Sequence, residues 1–210
     1  MSLFITFEGG EGSGKSSQAR TLYRRLTRLE MPALLTYEPG GTALGRRIAR
    51  WLKWSDMPIS PVAELLLFDA SRAQLVAEVI RPGLADGKTV ICDRYADSTV
   101  AYQGDGRGLG LPMVTAVNDA GTDGLKPDLT FLLDIPSRDG LVRKGDDRPD
   151  RFEQETLAFH QRVRDGYLKL AAQEPERWMV IDAAQSKEKI AAIIWERVSR
   201  LLPRGNGQKG

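Results

Sequence analysis

The stretch GGEGSGKSS, residues 9–17, restricts the fold of this chain more than any other. It packs four glycines, three serines and one lysine directly behind the apolar run LFITF, where an ordinary turn would need neither so much freedom nor a charge. The spacing Gly9-x-x-x-x-Gly14-Lys15-Ser16 fits the phosphate-binding pattern G-x-x-x-x-G-K-[ST]. Glycines let successive N–H groups turn inward on a phosphate, and the following helix aims its positive end at the same anion. Gly9, Gly10, Glu11, Gly12, Ser13, Gly14, Lys15, Ser16 and Ser17 are therefore the candidate nucleotide cradle, with Lys15 on the β/γ oxygens and Ser16 on Mg²⁺. Residues 3–7 read as a buried strand, and 17–30 place Ala19, Leu22, Leu26 and Leu29 on one helical face. A plain glycine-rich turn would require neither neighbour.

Five short apolar runs recur: LFITF, ALLTY, TVICD, LTFLLD and WMVID, with helical stretches between them. That alternation predicts an α/β fold with a parallel sheet and helices on both faces. Functional groups then gather at the carboxyl ends of the strands. Long helices are expected over 61–81, starting at Pro61 and stopping before Pro82-Gly83, over 152–173 and over 186–202. The polar segment SRDGLVRKGDDRPD, about 137–150, reads as a mobile lid. One domain over 1–203 and an unstructured tail over 204–210 complete the expectation.

Thirty lysines and arginines against 28 acids give a net charge of +2, which offers no global argument for a nucleic-acid or membrane partner. A single cysteine, Cys92, excludes an internal disulfide, and one histidine, His160, leaves no Cys/His zinc set. Cys92 lies in an apolar run and reads as packing; His160 reads as a surface or half-buried helical residue. No apolar segment approaches a membrane span, and the first strand begins after two residues, so a cytoplasmic location is expected.

A phosphate loop does not by itself name a function. A guanine switch would carry an Asn-Lys-x-Asp reader, yet the two asparagines are followed by Asp119 and Gly207. The segments FEGGEGSGKSSQ, EPGGT, LLLFDASRAQL, CDRYADSTVAYQGDGRG, KPDLTFLLD and DRFEQE, in that order, closely resemble bacterial thymidylate kinases from Leu3 to about Leu201. The resemblance implies a P-loop nucleoside monophosphate kinase fold with a five-stranded parallel sheet. It also implies Mg²⁺-assisted transfer of the ATP γ-phosphoryl to dTMP, in dTTP synthesis, by a homodimer.

Carried over position by position, the resemblance puts Phe68 on the thymine face and Arg72 on a base carbonyl. On spacing alone, this pair four residues apart fits core plus solvated charge better, and only the motif match reverses that preference. Asp93 is implied near Mg²⁺ or the acceptor phosphate and Arg94 on that phosphate; as a bare motif, Asp93 could simply cap a helix. Tyr102 would exclude a 2′-hydroxyl, Gln103 would address the base, and Glu11 would meet the 3′-hydroxyl. Ser98, Glu38 and Pro39 complete the acceptor pocket.

Two positions depart from the family pattern. Tyr37 stands where an arginine usually precedes EPGGT, and Ala49 where an arginine follows in the next helix, leaving Arg46, Arg47 or Arg50 as substitutes. Gly12 occupies the place where one branch carries a P-loop arginine, so the transition-state cation is expected from Arg143, Arg148 or Arg151. A related nucleotide or deoxynucleoside kinase, and an ATP-holding regulator without an acceptor site, are the competing functions.

Overall fold

The computed structural model describes residues 2–145 and 149–202. All five apolar runs are strands: β1 (Phe4–Glu8), β2 (Ala33–Tyr37), β3 (Thr89–Asp93), β4 (Leu129–Asp134) and β5 (Trp178–Asp182). They form one parallel sheet in the order β2-β3-β1-β4-β5. Alternation along β1 divides the core. Ile5 and Phe7 pack with Leu22, Leu26, Ile190 and Ile194 of α1 (Lys15–Arg28) and α9 (Lys187–Ser199) on one face. Phe4 faces the other side, with Leu75, Ile80, Val90 and Tyr95.

Helices α2 (Ala43–Trp54), α3 (Pro61–Leu75), α4 (Arg81–Ala85), α5 (Ala96–Thr99), α6 (Leu111–Thr122), α7 (Ser137–Lys144) and α8 (Leu157–Gln173) fill the connections. Thr42, Ser60, Thr156 and Ser186 cap α2, α3, α8 and α9, each side chain accepting the backbone N–H of the third helical residue. Helix α1 has no such side-chain cap: Gly14 precedes it at φ 90, and its first N–H groups are left for an external acceptor.

Several boundaries differ from the sequence reading, each for a local reason. The helical rod of α3 passes through a π-turn (Val76–Ile80) into α4 and so runs beyond Pro82 to Ala85. The π-turn lies just before the proline, whose missing N–H an α-helix interior would require. Helix α8 starts at Leu157 instead of 152, because Thr156 caps it and Asp150 accepts the Phe152 and Glu153 N–H groups in a separate turn. Leu29 lies past the end of α1 and is 53% exposed. His160 is buried instead of superficial, packed edge-on against Phe159. The first half of the expected lid is the ordered helix α7. Residues 146–148 and 204–210 lie outside the described residues.

Candidate functional site

Every strand or its following residue ends on an acid: Glu8, Glu38, Asp93, Asp134 and Asp182. Above the first three opens a cavity of about 1090 Å³, roomy enough for two nucleotides end to end. Glu11, Gly12, Gly14, Lys15, Ser16 and Ser17 form its phosphate-loop wall. The Lys15 ammonium donates to the Gly10 carbonyl at 2.6 Å and to Ser13 Oγ at 3.2 Å, and Ser13 in turn donates to Gly10. Burial, reinforced by the Arg94 charge, pushes Lys15 down to about 8. The Ser16 hydroxyl donates to the Asp93 carboxylate, so the hydroxyl and acid expected to serve a metal do meet.

Arg94 is the hub of the floor. It sits at φ 69, and its backbone N–H donates to the Phe7 carbonyl. Its guanidinium donates to Glu11 Oε1 at 2.6 Å, to the Tyr102 and Tyr167 hydroxyls at 3.2 Å and to the Gly9 carbonyl at 3.1 Å. Tyr102 also donates to Glu11, at 2.8 Å. Burial alone would raise the Glu11 carboxyl, but the Arg94 and Lys15 charges outweigh it and hold the group down to about 2. Below lies a layer that the motifs do not reveal. Glu8 accepts from the Tyr95 N–H at 2.7 Å, Ser98 Oγ at 2.6 Å and the Tyr167 hydroxyl at 3.0 Å. Burial and the nearby Asp97 push its carboxyl up to about 8.

Helix α3 supplies the far wall. Glu64, Phe68 and Arg72 recur every four residues and share one stripe. Phe68 lines the cavity with Tyr37, Glu38 and Pro39 of the β2 end, and Ser98, Tyr102 and Gln103 line it as well. Arg72 is among the most deeply buried side chains and lies behind this lining. Its five N–H donors go to Glu38, Asp69, Asn118, Thr99 and the Tyr95 carbonyl. None of these donors is left for the base carbonyl that the resemblance implied for Arg72.

The expected lid cations are placed differently from one another. Arg143 donates to the Ala183 carbonyl at 2.7 Å, and Arg151 donates to Glu64 Oε2 at 2.6 Å; neither lines the cavity. Arg148 lies outside the described residues. Besides Lys15 and Arg94, the described cations that line it are Arg20, Lys53 and Lys144, and only Lys144 lies in the lid segment. Arg46, Arg47 and Arg50 are solvent-exposed on α2, and Tyr37, half exposed, occupies the rim where a guanidinium was expected. Cys92 is fully buried and burial raises its thiol, which fits packing and not nucleophilic chemistry.

The thymidylate kinase family profile matches residues 7–194. The chain belongs to the thymidylate kinase family. It is 55% identical over 203 residues to a thymidylate kinase from Dehalococcoides mccartyi, covering 96% of this chain and 98% of that one. A thymidylate kinase from Deinococcus radiodurans is 50% identical over 200 residues, with 94% and 96% covered. The crystal structure of thymidylate kinase from Ehrlichia chaffeensis superposes with a TM-score of 0.75 at 34% identity, over 96% of this chain and 99% of that one. As a thymidylate kinase the chain phosphorylates dTMP to dTDP with ATP, using Mg²⁺. The donor set fits that metal. Among the described residues no group of three or more His, Cys, Asp or Glu could hold an ion alone. One hydroxyl and one carboxylate suit a hard ion whose remaining ligands are phosphates and water. Among the described residues no helix is long and apolar enough to cross a membrane.

Proposed function

We propose a division of labour within this thymidylate kinase cavity in which the phosphate loop holds ATP and the Arg94–Glu11–Tyr102 cluster receives dTMP. The observation that carries it is the position of Arg94, donating to a loop carbonyl, a loop carboxylate and the Tyr102 hydroxyl at once. A guanidinium so placed sits between the two nucleotide ends of one cavity. Lys15 leaves the Gly10 carbonyl for the transferring phosphoryl, and Arg94 binds the dTMP phosphate, which is already an adequate nucleophile, so no strong general base is required. Ser16 and Asp93 hold Mg²⁺, which supplies charge neutralisation at the phosphates. Glu11, kept anionic, accepts the 3′-hydroxyl; Tyr102 blocks a 2′-hydroxyl; Phe68 stacks on thymine against the Glu38–Pro39 edge; Gln103 reads the base; and Ser98 steadies Arg94.

Arg72 acts from below, tying Glu38 to α3. The transition-state cation comes from the segment after α7, where Arg148 is the first choice; Arg151 and Arg143 would have to leave Glu64 and Ala183 to serve. Residues 1–203 work as one domain in the cytoplasm. The chain pairs with a second copy through the exposed Leu44 and Trp51 of α2, Val62 and Leu66 of α3 and Met113 of α6, a set too apolar for an unpartnered surface. Replacing Tyr102 by Ala tests the cluster. The expected result is a raised KM for dTMP and a narrowed preference for dUMP over UMP with KM for ATP unchanged; an equal loss toward both nucleotides would reject the assignment.

A further inference from the structure

Glu64 lies one helical turn before Phe68 and, at 1% exposed, is an acid buried against the base end of the cavity. Gln103, also 1% exposed, donates its Nε2 to Glu64 Oε1 at 2.7 Å. Two guanidiniums close the remaining sides of that carboxylate. Arg107 donates Nε to Oε1 and Nη2 to Oε2, each at 3.1 Å, and Arg151 donates Nη2 to Oε2 at 2.6 Å. A carboxylate between two arginines offers only acceptors. The Gln103 amide therefore cannot turn over, because its carbonyl oxygen would then face a carboxylate oxygen with no water to separate them. With Nε2 held, Gln103 Oε1 takes no hydrogen bond from any described residue, and the side chain lines the cavity.

We propose that Glu64 is a positioning residue that sets the choice of pyrimidine by fixing which end of the Gln103 amide faces the acceptor. The proposal rests on the reading that Gln103 addresses the base. Thymine and uracil present an N3–H donor at that edge, whereas cytosine presents an N3 lone pair. A fixed Oε1 accepts from the first two and repels the third. Glu64 thus rejects a cytosine acceptor without touching it. Arg107, paired also with Glu155, and Arg151 keep the carboxylate in place, so two residues of the DRFEQE segment that do not line the cavity, Arg151 and Glu155, contribute to base choice.

The test is acceptor choice in Glu64→Gln, an isosteric change that lets the facing amide adopt either orientation. The ratio of kcat/KM for dCMP to that for dTMP is expected to rise about tenfold or more. The dUMP to dTMP ratio and the KM for ATP are expected to stay put, because uracil shares the N3–H. Glu64→Asp keeps both ion pairs while withdrawing the carboxylate by one methylene, and gives a smaller rise if the first variant does not fold. Equal losses toward dTMP, dUMP and dCMP in either variant would overturn the proposal by reducing Glu64 to a structural part. Gln103→Ala separates the two layers. A dTMP over dCMP preference that survives it refutes the base-reading role of Gln103; a preference lost there but intact in the Glu64 variants refutes the role of Glu64 alone.

Discussion

Lys15 holds a charge in a place that penalises it. Its folded value of about 8 lies below the ordinary 10.5, so the penalty is present at neutral pH and is relieved as pH rises through that interval. Lys15→Met is therefore expected to keep or raise the thermal midpoint at pH 7, by roughly 2–4 °C per kcal/mol recovered, while turnover falls by orders of magnitude. A calorimetric scan beside a coupled assay checks both; a clearly lowered midpoint would mean that the lysine supports the fold. Glu8 has the opposite relation to pH. Its carboxyl is raised to about 8, so its contribution is complete below about 4.5 and is lost as pH climbs through 8. Urea titrations at stepped pH should show stability declining over that range and a flatter profile in Glu8→Gln. Phe68→Ala should raise KM for dTMP far more than KM for ATP if its ring, which lines the cavity, stacks on the thymine as proposed, whereas a general loss of stability would mark it as core. At this scale the loop, Asp93, Phe68 and the Arg94 to Gln103 run were legible because each sits in a contiguous motif. Glu8, Tyr167 and Glu64 were not, since Tyr167 meets Glu8 across 159 residues and Glu64 resembles any acid in a helix's first turn.

Helix α7 packs directly on the phosphate loop. Gly12 stands at φ 66, and a Cβ there would collide with the Gly140 carbonyl; a Cβ on Gly140 would collide with that of Glu11. This contact gives a physical reason why position 12 carries no arginine, and it makes the two glycines one joint between elements. Gly140→Ala is expected to cost about 1–3 kcal/mol by overpacking and to lower turnover by displacing Glu11. Urea unfolding with initial rates measures both; unaltered stability would show that α7 moves freely off the loop. The strands were readable because a parallel strand buried on both faces is an unbroken apolar run. α7 was not, since SRDGLVRK has a glycine and only two apolar residues, and its order comes from the loop beneath it. The π-turn before Pro82 was equally hidden, because a proline in sequence signals an ending unless packing supplies the detour.

For the molecule as a whole, two claims remain to be measured. If the exposed apolar residues of α2, α3 and α6 form the proposed pairing face, the sedimenting mass is near twice the chain's 23.2 kDa, and Leu66→Lys should return it to a single copy. A wild-type mass of one chain at micromolar concentration would instead leave that face to another partner. The central claim is that one cavity joins an ATP end to an end built for a thymine nucleotide. The direct measurement is ADP formation by the full chain with ATP, Mg²⁺ and each of dTMP, dUMP, dCMP, dGMP and thymidine. The expected order has dTMP first, dUMP behind it, dCMP and dGMP far below, and thymidine inert because it lacks the phosphate that Arg94 is proposed to bind. Turnover of thymidine comparable to that of dTMP, or no ADP formed with dTMP, would contradict the account.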